Sequence, residues 1–232
     1  MDKLKKNVCE ANKDLVKNKL VILTWGNVSG ADRENDIMII KPSGVPYDEL
    51  APDKMVLVKI STGEVLNRNS LKPSSDTLTH LTLYKKYREI GGIVHTHSTW
   101  STAFAQSGTK IVAAGTTHAD YFNGDIFCTR KLTNKEITND YELNTGLVII
   151  ETLMRNNIHP LDVPAILVND HGPFTWGKNS MDAVENAVVL EQLAKMNFIT
   201  SSLNSQSIQI NKHLLKKHFS RKHGKNAYYG QK

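Results

Sequence analysis

The sequence predicts a domain of mixed helices and strands, a three-layer or α+β sheet fold rather than a doubly wound one. Strand-length apolar runs alternate with helix-length amphipathic segments, and short turn signals typical of hairpins join several of the runs. No G-x-G-x-x-G motif follows a strand, which argues against a dinucleotide-binding fold. The chain has 232 residues, of which 40% are hydrophobic and 22% charged. This length suits one sizeable α/β domain with its own core, or at most two small ones.

The first half of the chain predicts one long helix, several strands and two shorter helices. Residues 3–17 place Leu4, Val8, Ala11 and Leu15 on one side, the pattern of an amphipathic helix. TWGNVSG (24–30) is assigned to a loop, and Thr62-Gly63 to a hairpin turn. Apolar runs predict strands at LVIL (20–23), IMIIK (37–41), MVLVKI (55–60), EVLN (64–67) and GGIVHTH (91–97). Further helices are expected at 75–87 and 98–106.

The second half predicts strands around a polar loop, followed by long helices. KIVAAG and IFCTR are interpreted as strands on either side of TTHADYFNGD, and AILVND (165–170) as a buried strand. HGPFTWGKN is interpreted as a loop. Helices are predicted at 145–156 and 180–197, the second capped by Asn179 or Ser180, and a last one within 206–222. No repeat or Pro/Ser linker divides the chain, so we expect one domain over residues 1–232.

Charge and composition narrow the class of protein. The formal net charge is +6, which suits an anionic partner such as a phosphorylated metabolite or a nucleic acid. The basic C-terminal segment lacks the interleaved aromatic residues of a nucleic-acid arm, so no nucleic-acid partner is expected. No run approaches the roughly 20 apolar residues of a membrane span. With two cysteines and no signal-like N-terminus, we expect a cytoplasmic protein that does not bind a membrane.

Histidines at the ends of apolar runs indicate a metal site. Side chains at positions i and i+2 of a strand point the same way, so His95 and His97 share one face if IVHTH is a strand. His171 follows a second apolar run, AILVND. Three such histidines could supply the nitrogens of an open Zn²⁺ site. Each alone has a plainer explanation, as a surface strand or a core histidine.

Two short segments with similar sequences could bind phosphate. KPSSDT (72–77) reads as a helix start, where free backbone N–H groups and serine hydroxyls suit an anion. KPSG (41–44) could hold a phosphate through Lys41, Ser43 and Gly44, or only turn a hairpin. Asp76 could cap the helix, bind a metal or act as a base. In the polar loop, His118, Asp120 and Asp125 are weaker candidates for acid/base chemistry.

Together these motifs resemble a known family. TWGNVS, KPSG, KPSSDT, GGIVHTHS, GTTHADYF, HGPF-WGK and the terminal HGKNAYYGQ are similar, in order and spacing, to L-ribulose-5-phosphate 4-epimerases. These belong to the class II aldolase/epimerase superfamily, beside fuculose- and rhamnulose-phosphate aldolases. The resemblance runs nearly end to end. It implies one α/β domain, with a central, mainly antiparallel β-sheet flanked by helices, and a homotetramer with active sites between subunits.

The resemblance also implies a set of site residues. It implies that a divalent cation, Zn²⁺ or another such as Mn²⁺, is bound by Asp76, His95, His97 and His171. It implies substrate contacts from Gly26, Asn27, Ser43, Gly44, Ser74 and Ser75. Asp120 and, from the neighbouring subunit, Tyr229 would be the acid/base pair. Lys41, His218 and Arg221 are weaker candidates for substrate or interface roles.

The implied reaction interconverts L-ribulose 5-phosphate and D-xylulose 5-phosphate in the breakdown of L-arabinose or a related compound such as ascorbate. In this family the C3–C4 bond is thought to break by a retro-aldol step and to re-form on the other face, with the metal as Lewis acid. The alternative is a class II sugar-phosphate aldolase, whose relatives carry a glutamate base where this chain has Asp76. That aspartate and the YYGQ ending favour the epimerase.

Overall fold

The structure is a computed structural model and describes residues 1–66, 71–204, 208–224 and 227–229. The helices are α1 (Asp2–Lys17), α2 (Thr77–Lys86), α3 (Thr99–Ser107), α4 (Thr116–Ala119), α5 (Asn134–Thr138), α6 (Tyr141–Arg155), α7 (Ser180–Leu203) and α8 (Lys212–His223). The strands are β1 (Gly26–Asp32), β2 (Ile37–Ile40), β3 (Val56–Lys59), β4 (Gly92–Thr96), β5 (Ala165–Leu167) and β6 (Pro173–Gly177). A 3-10 turn, Pro52–Lys54, precedes β3.

The six strands form one antiparallel sheet. Their order is β3-β2-β1-β4-β6-β5, and every neighbouring pair is antiparallel. The central strands β1 and β4 are neighbours in the sheet although two strands and a helix separate them in the chain. Their register places Asn27 opposite His95, which in turn lies opposite Phe174 on β6. Three residues that are far apart in sequence therefore form one row across the sheet.

Helices cover both faces of the sheet, because its strands alternate apolar side chains between two cores. Met38 and Ile40 pack in one core, with Tyr84 of α2 and Leu153 of α6. Ile39, between them in sequence, packs in the opposite core with residues of α1 and α7. A third apolar cluster joins α3, the middle of α7 and β5. The expected fold class, a mainly antiparallel sheet between helices, is confirmed.

Most of the predicted helices are confirmed. The predictions over 3–17, 75–87, 98–106 and 180–197 correspond to α1, α2, α3 and α7. The helix predicted at 145–156 begins four residues earlier, at Tyr141, and α7 continues to Leu203. The last helix is α8, while residues 206–207 of its predicted range lie outside the described residues. The helices are the better predicted class because their apolar periodicity is local.

Several strand predictions were wrong. LVIL (20–23) is an irregular segment between α1 and β1: Lys19 and Leu23 have left-handed φ of 56° and 54°, and Leu23 is 75% exposed. The predicted loop 24–30 instead contains most of β1, whose small residues are buried by their neighbours. Asn12 of α1 bonds both backbone groups of Val28, donating to its carbonyl oxygen and accepting from its N–H. The packing of α1 thus fixes a strand that has little hydrophobic signal of its own.

The region around β6 was also mispredicted. HGPFTWGKN was interpreted as a loop, yet it contains β6, which is buried along its whole length. KIVAAG and IFCTR form only isolated bridges, Ile111 to Ile126 and Cys128 to Leu167. EVLN contributes a bridge from Val65 to Val58, and its Asn67 lies outside the described residues. Across the described ranges, the helices are all too short or too polar to cross a membrane.

Candidate functional site

Three histidines converge at one end of the sheet. Ile93 packs in the α2/α6 core, so strand alternation brings His95 and His97 to the same face. His171 reaches them from the turn between β5 and β6. One ligand-capable nitrogen from each of the three lies within 4.8 Å of the other two. The Nε2 atoms of His95 and His97 are 3.1 Å apart. The expectation that the two strand histidines point together and meet His171 is confirmed.

The surroundings keep these histidines neutral. Burial lowers the pKa of His95 to about 3, with a contribution from His97, although a backbone hydrogen bond to Pro173 works the other way. Burial, together with the neighbouring His95 and His97, also lowers the pKa of His171 to about 3. The pKa of His97 is lowered by burial, against the opposing effect of Asp76. Neutral imidazoles carry the lone pairs that a metal ion requires. The donor set therefore fits a divalent cation.

A carboxylate lies beside the histidines and is held from the sheet. Asp76 is the residue before α2, and its Oδ2 accepts a hydrogen bond of 2.7 Å from Nδ2 of Asn27 on β1. Asn27 is directly opposite His95 in the sheet, so one strand pair aligns the carboxylate with the histidines. The other amide atom, Asn27 Oδ1, is buried and has no hydrogen-bond partner among the described residues. An acceptor of this kind suits a hydroxyl donor from a ligand.

The two Lys-Pro-Ser segments, KPSG and KPSS, lie side by side. The backbone N–H of Ser43 donates to the carbonyl oxygen of Lys72 at 2.8 Å, and that of Ser74 donates to Lys41 at 3.0 Å. Gly44 has a left-handed φ of 70°, which closes the first of the two turns. Each segment alone was ambiguous between a turn and an anion site. Their pairing places the serine side chains of both segments at one cavity.

Histidines, carboxylate and paired turns line a single cavity. Its volume is 480 Å³, within the usual range for small-ligand sites. Its lining includes every predicted metal and substrate residue, together with others that the resemblance did not assign or ranked lower: Thr24, Trp25, Lys41, Pro42, Tyr141 and Glu142. Tyr141 and Glu142 were missed because α6 was predicted to begin at 145. The acidic first turn that follows Asn139-Asp140 was a signal for the earlier start.

Close helix packing brings the start of α6 to the cavity. A Cβ atom on Gly146 would lie 2.7 Å from Cβ of Thr82, so only glycine lets α6 approach α2 this closely. Near the N-termini, Thr79 Oγ1 donates to the carbonyl oxygen of Glu142 at 2.7 Å. The N-terminal ends of both helices therefore face the same cavity, where their dipoles favour an anionic ligand.

Asp120 and Tyr229 do not line this cavity. The Asp120 carboxylate accepts hydrogen bonds from Arg221 at 2.9 and 3.1 Å and contacts His218 Nδ1 at 3.0 Å. The Arg221 guanidinium lies 4.1 Å from the centre of the Tyr229 ring. Burial alone would raise the pKa of Asp120, but the bonds from Arg221 and His218 outweigh it and lower the pKa. The proposed acid/base pair thus forms one cluster with α8, which we call the Asp120 cluster: Asp120, His218, Arg221 and Tyr229.

The weaker candidates in the polar loop have structural partners. His118 is buried, and its Nε2 bonds the carbonyl oxygen of Gly124 at 2.7 Å. Asp125 pairs with Lys110 at 2.7 Å and accepts from the backbone N–H of Ala113 at 2.8 Å. Both residues fix the loop that presents Asp120.

Comparison with known proteins decides the family. Residues 6–198 match the family model described as Class II Aldolase and Adducin N-terminal domain. The chain belongs to this family. The class II aldolase fold agrees with the antiparallel six-stranded sheet, and class II aldolases typically depend on a divalent metal, for which the three histidines provide donors.

Solved structures of this fold include sugar-phosphate aldolases. An L-fuculose 1-phosphate aldolase matches with a TM-score of 0.77 at 24% identity, over 93% of this chain and 94% of that one. YgbL from Escherichia coli, described as a putative aldolase/epimerase/decarboxylase, has a TM-score of 0.72 at 22% identity, with coverages of 93% and 97%. The L-fuculose-1-phosphate aldolase of Thermus thermophilus has a TM-score of 0.69 at 18% identity, with coverages of 89% and 100%. At these identities the likeness concerns the fold.

Proposed function

We propose that this chain is a metal-dependent L-ribulose-5-phosphate 4-epimerase, which interconverts L-ribulose 5-phosphate and D-xylulose 5-phosphate. The observation that carries the proposal is the cavity, where three histidines within 4.8 Å of one another share a lining with the two paired serine turns. A metal-binding end and an anion-binding end in one cavity suit a short phosphorylated ketose. The second candidate is a class II sugar-phosphate aldolase, favoured by the fuculose-phosphate aldolases among the structural relatives.

The metal would be held by His95, His97, His171 and Asp76. Three nitrogens and one carboxylate form a donor set that Zn²⁺ and Mn²⁺ both accept. When bound, such an ion supplies Lewis-acid polarisation of neighbouring substrate oxygens. Asn27 holds the Asp76 carboxylate, and its free Oδ1 is placed to accept from a substrate hydroxyl.

The substrate phosphate would bind at the paired turns. Ser43, Ser74 and Ser75 would supply hydroxyl donors there, and Gly44 and Gly26 line the same cavity. Lys41 adds a positive charge, since its side chain is 2% exposed and finds only carbonyl oxygens, Val45 O at 2.7 Å and Pro42 O at 3.3 Å, among the described residues. A buried cation without a carboxylate partner favours an anionic ligand. These contacts would keep the phosphate in place while the aldehyde group of the substrate rotates.

The acid/base residues would come from a second copy of the chain. The cavity as formed by one chain lacks Asp120 and Tyr229, so we propose that the Asp120 cluster of a neighbouring subunit completes it in a homotetramer. Ile22, Leu23 and Trp25 support this arrangement: they are 61%, 75% and 51% exposed in the single chain, and Trp25 lines the cavity. Apolar side chains exposed beside a site are typical of a subunit contact.

Asp120 and Tyr229 would then move the proton at the C4 oxygen. One residue takes the C4 hydroxyl proton as the C3–C4 bond breaks, and the bonding electron pair stays with the C3 fragment. The aldehyde turns, the bond re-forms on its other face, and the second residue returns a proton to the C4 oxygen. An epimerase needs a residue on each face, whereas an aldolase releases the aldehyde.

The test is an assay of the purified protein with L-ribulose 5-phosphate. We expect D-xylulose 5-phosphate to form, to stop forming after chelation, and to return with added Zn²⁺ or Mn²⁺. The His95→Ala/His97→Ala variant should retain neither zinc nor turnover. Release of glycolaldehyde phosphate without xylulose 5-phosphate would establish the aldolase instead.

The cellular setting is part of the same proposal. We place the enzyme in the cytoplasm, in the breakdown of L-arabinose or a related compound. Both cysteines, Cys9 and Cys128, are free thiols, which is consistent with a reducing compartment.

A further inference from the structure

The hydroxyl of Tyr141 contacts one of the three histidines. Tyr141 Oη lies 3.3 Å from Nδ1 of His171, and the two ring centres are 6.1 Å apart. Tyr141 is the first residue of α6, and His171 belongs to the turn between β5 and β6. The two residues are 30 positions apart in sequence. The contact therefore joins two separate elements at the histidine cluster.

His95 shows what such a contact does. Its Nδ1 lies 2.9 Å from the carbonyl oxygen of Pro173, and a carbonyl oxygen can only accept. Nδ1 of His95 must therefore carry the proton, which leaves a lone pair on Nε2. That Nε2 is the atom 3.1 Å from Nε2 of His97. A hydrogen bond donated by Nδ1 thus selects the tautomer in which Nε2 keeps the lone pair that a metal ligand needs.

We propose that Tyr141 is a positioning residue for His171, whose Nδ1–H donates to the tyrosine oxygen so that Nε2 is left free for the metal. The proposal rests on the proposed metal site. It gives His171 the same arrangement that the Pro173 carbonyl gives His95. The tyrosine also limits rotation of the His171 ring, because the ring can turn only by giving up the bond.

The hydroxyl proton of Tyr141 remains available in this arrangement. A tyrosine hydroxyl keeps its proton at neutral pH and can both accept and donate a hydrogen bond. In the proposed arrangement its oxygen accepts from His171, and its O–H can donate to an oxygen in the cavity that Tyr141 lines. A phenylalanine would lose both contacts and keep the ring.

The backbone on both sides of the contact is fixed. Asp140, before Tyr141, and Asp170, before His171, are both left-handed, with φ of 54° and 59°. Non-glycine residues seldom adopt this conformation, although aspartate does so more readily than most, and local hydrogen bonds stabilise it. Asn144 of α6 stabilises the backbone before Tyr141, because its Nδ2 donates to the carbonyl oxygens of Glu136 and Asn139 at 3.1 and 2.5 Å.

Arg130 and Lys131 form ion pairs with the elements that carry Tyr141 and His171. Lys131 pairs with Asp170 at 3.0 Å, next to His171. Its neighbour Arg130 pairs with Glu136 and with Glu151 of α6, both at 2.8 Å. The segment that precedes α6 is therefore tied to the turn of His171 and to the helix of Tyr141. Two adjacent residues, Arg130 and Lys131, thus contact the elements that carry the two rings, through ion pairs at the surface.

The test compares metal binding by wild-type protein and Tyr141→Phe. Metal would be removed by chelation, and the Zn²⁺ dissociation constant measured by competition with a chromogenic chelator. Loss of an outer hydrogen bond to a metal-binding histidine typically weakens binding by about 10- to 100-fold, and we expect a change in this range. The absorption spectrum of the Co²⁺-loaded protein should also shift, because it reports the ligand arrangement rather than the folded fraction.

Tyr87→Phe is the matched control, since Tyr87 is a partly buried tyrosine of the α2/α6 core that lies outside the cavity lining. It should leave zinc affinity and the cobalt spectrum unchanged. Zinc affinity within twofold of wild type and an unaltered cobalt spectrum in Tyr141→Phe would overturn the proposal. Wild-type protein that binds no zinc would overturn both this and the proposed function. Wild-type protein that binds zinc but turns over no sugar phosphate would overturn the proposed function alone.

Discussion

Lys41 shows how burial alone prepares a single side chain to bind an anion. Its Nζ lies 4.9 Å from the centre of the Tyr47 ring and bonds only carbonyl oxygens among the described residues. Burial lowers its pKa from 10.5 to about 8. The ammonium group is therefore charged at neutral pH and loses its proton under mildly alkaline conditions. Among the described residues no carboxylate contacts the Lys41 ammonium, so an anionic ligand would neutralise its charge.

We predict that the KM for the phosphorylated substrate rises as pH passes upward through about 8. A lysine with a lowered pKa is charged below that pKa and neutral above it, so attraction for the phosphate weakens in that direction. Lys41→Met should raise KM at neutral pH by about tenfold or more and should remove the pH step. Steady-state kinetics across this range would measure both effects.

Lys54→Met is the control, because Lys54 is exposed and its Nζ donates to the carbonyl oxygen of Glu49 away from the cavity. It should keep the wild-type KM and its pH dependence. The role of Lys41 would be rejected if Lys41→Met kept a normal KM, or if the rise in KM persisted in that variant.

At the scale of elements, a side chain of α7 caps the N-terminus of α3. Ser98 precedes α3 but makes no side-chain capping bond. The Glu191 carboxylate of α7 accepts instead from the backbone N–H groups of Trp100 and Ser101, at 2.8 and 2.9 Å, and from the Ser101 hydroxyl at 2.8 Å. A carboxylate at a helix N-terminus also interacts favourably with the helix dipole. Because α3 starts two residues after His97, this contact also anchors the end of β4.

We predict that Glu191→Gln destabilises the protein by about 1–3 kcal/mol, since bonds to a charged acceptor are lost and an NH₂ group faces backbone donors. Thermal unfolding at matched protein concentration would measure the effect as a lower Tm. Glu185→Gln removes the same charge from the same helix at an exposed position and should leave Tm nearly unchanged. Equal Tm values for the two variants would contradict the capping role.

For the molecule as a whole, the cavity and the Asp120 cluster are separate in one chain. The resemblance to epimerases implied that Asp120 and Tyr229 come from different subunits. In the structure both contact Arg221, so a neighbouring chain that supplies one would supply the other. Closed symmetric rings allow each chain to give its cluster to one neighbour and to receive another.

Mixed tetramers would test this arrangement. We predict that Asp120→Asn chains mixed with His97→Asn chains regain about a quarter of wild-type activity, since random assembly pairs an intact cavity with an intact cluster at that frequency. Asp120→Asn mixed with Tyr229→Phe should regain none, because each cluster carries one defect. Activity assays on verified mixed tetramers of both kinds would measure these two recoveries.

The opposite result, recovery in the second mixture and none in the first, would mean that Asp120 acts in the cavity of its own chain. Unmixed tetramers of each variant are the controls and should stay inactive. Recovery in neither mixture would mean that one chain builds the whole site.

The sequence by itself determined the local features. Strand alternation placed His95 and His97 on one face, and 3.6-residue periodicity identified the long helices, because both patterns follow from backbone geometry over a few residues. It also singled out the two Lys-Pro-Ser segments as possible anion sites. It missed β1, whose residues are mostly small, and β6, whose Phe174 and Trp176 lie between a proline and a glycine. Both strands are buried by the elements that cover them.

Only the tertiary structure decided which candidates meet. The Asn27–Asp76 bond spans 49 residues and the Asp120–His218 contact spans 98, and no local pattern encodes such pairs. The sheet register brought Asn27, His95 and Phe174 into one row, and the packing of α6 on α2 brought Tyr141 to His171. Contacts of this range depend on how complete elements pack, which is why the sequence identified most residues of the proposed metal and phosphate sites but not the residues that contact them.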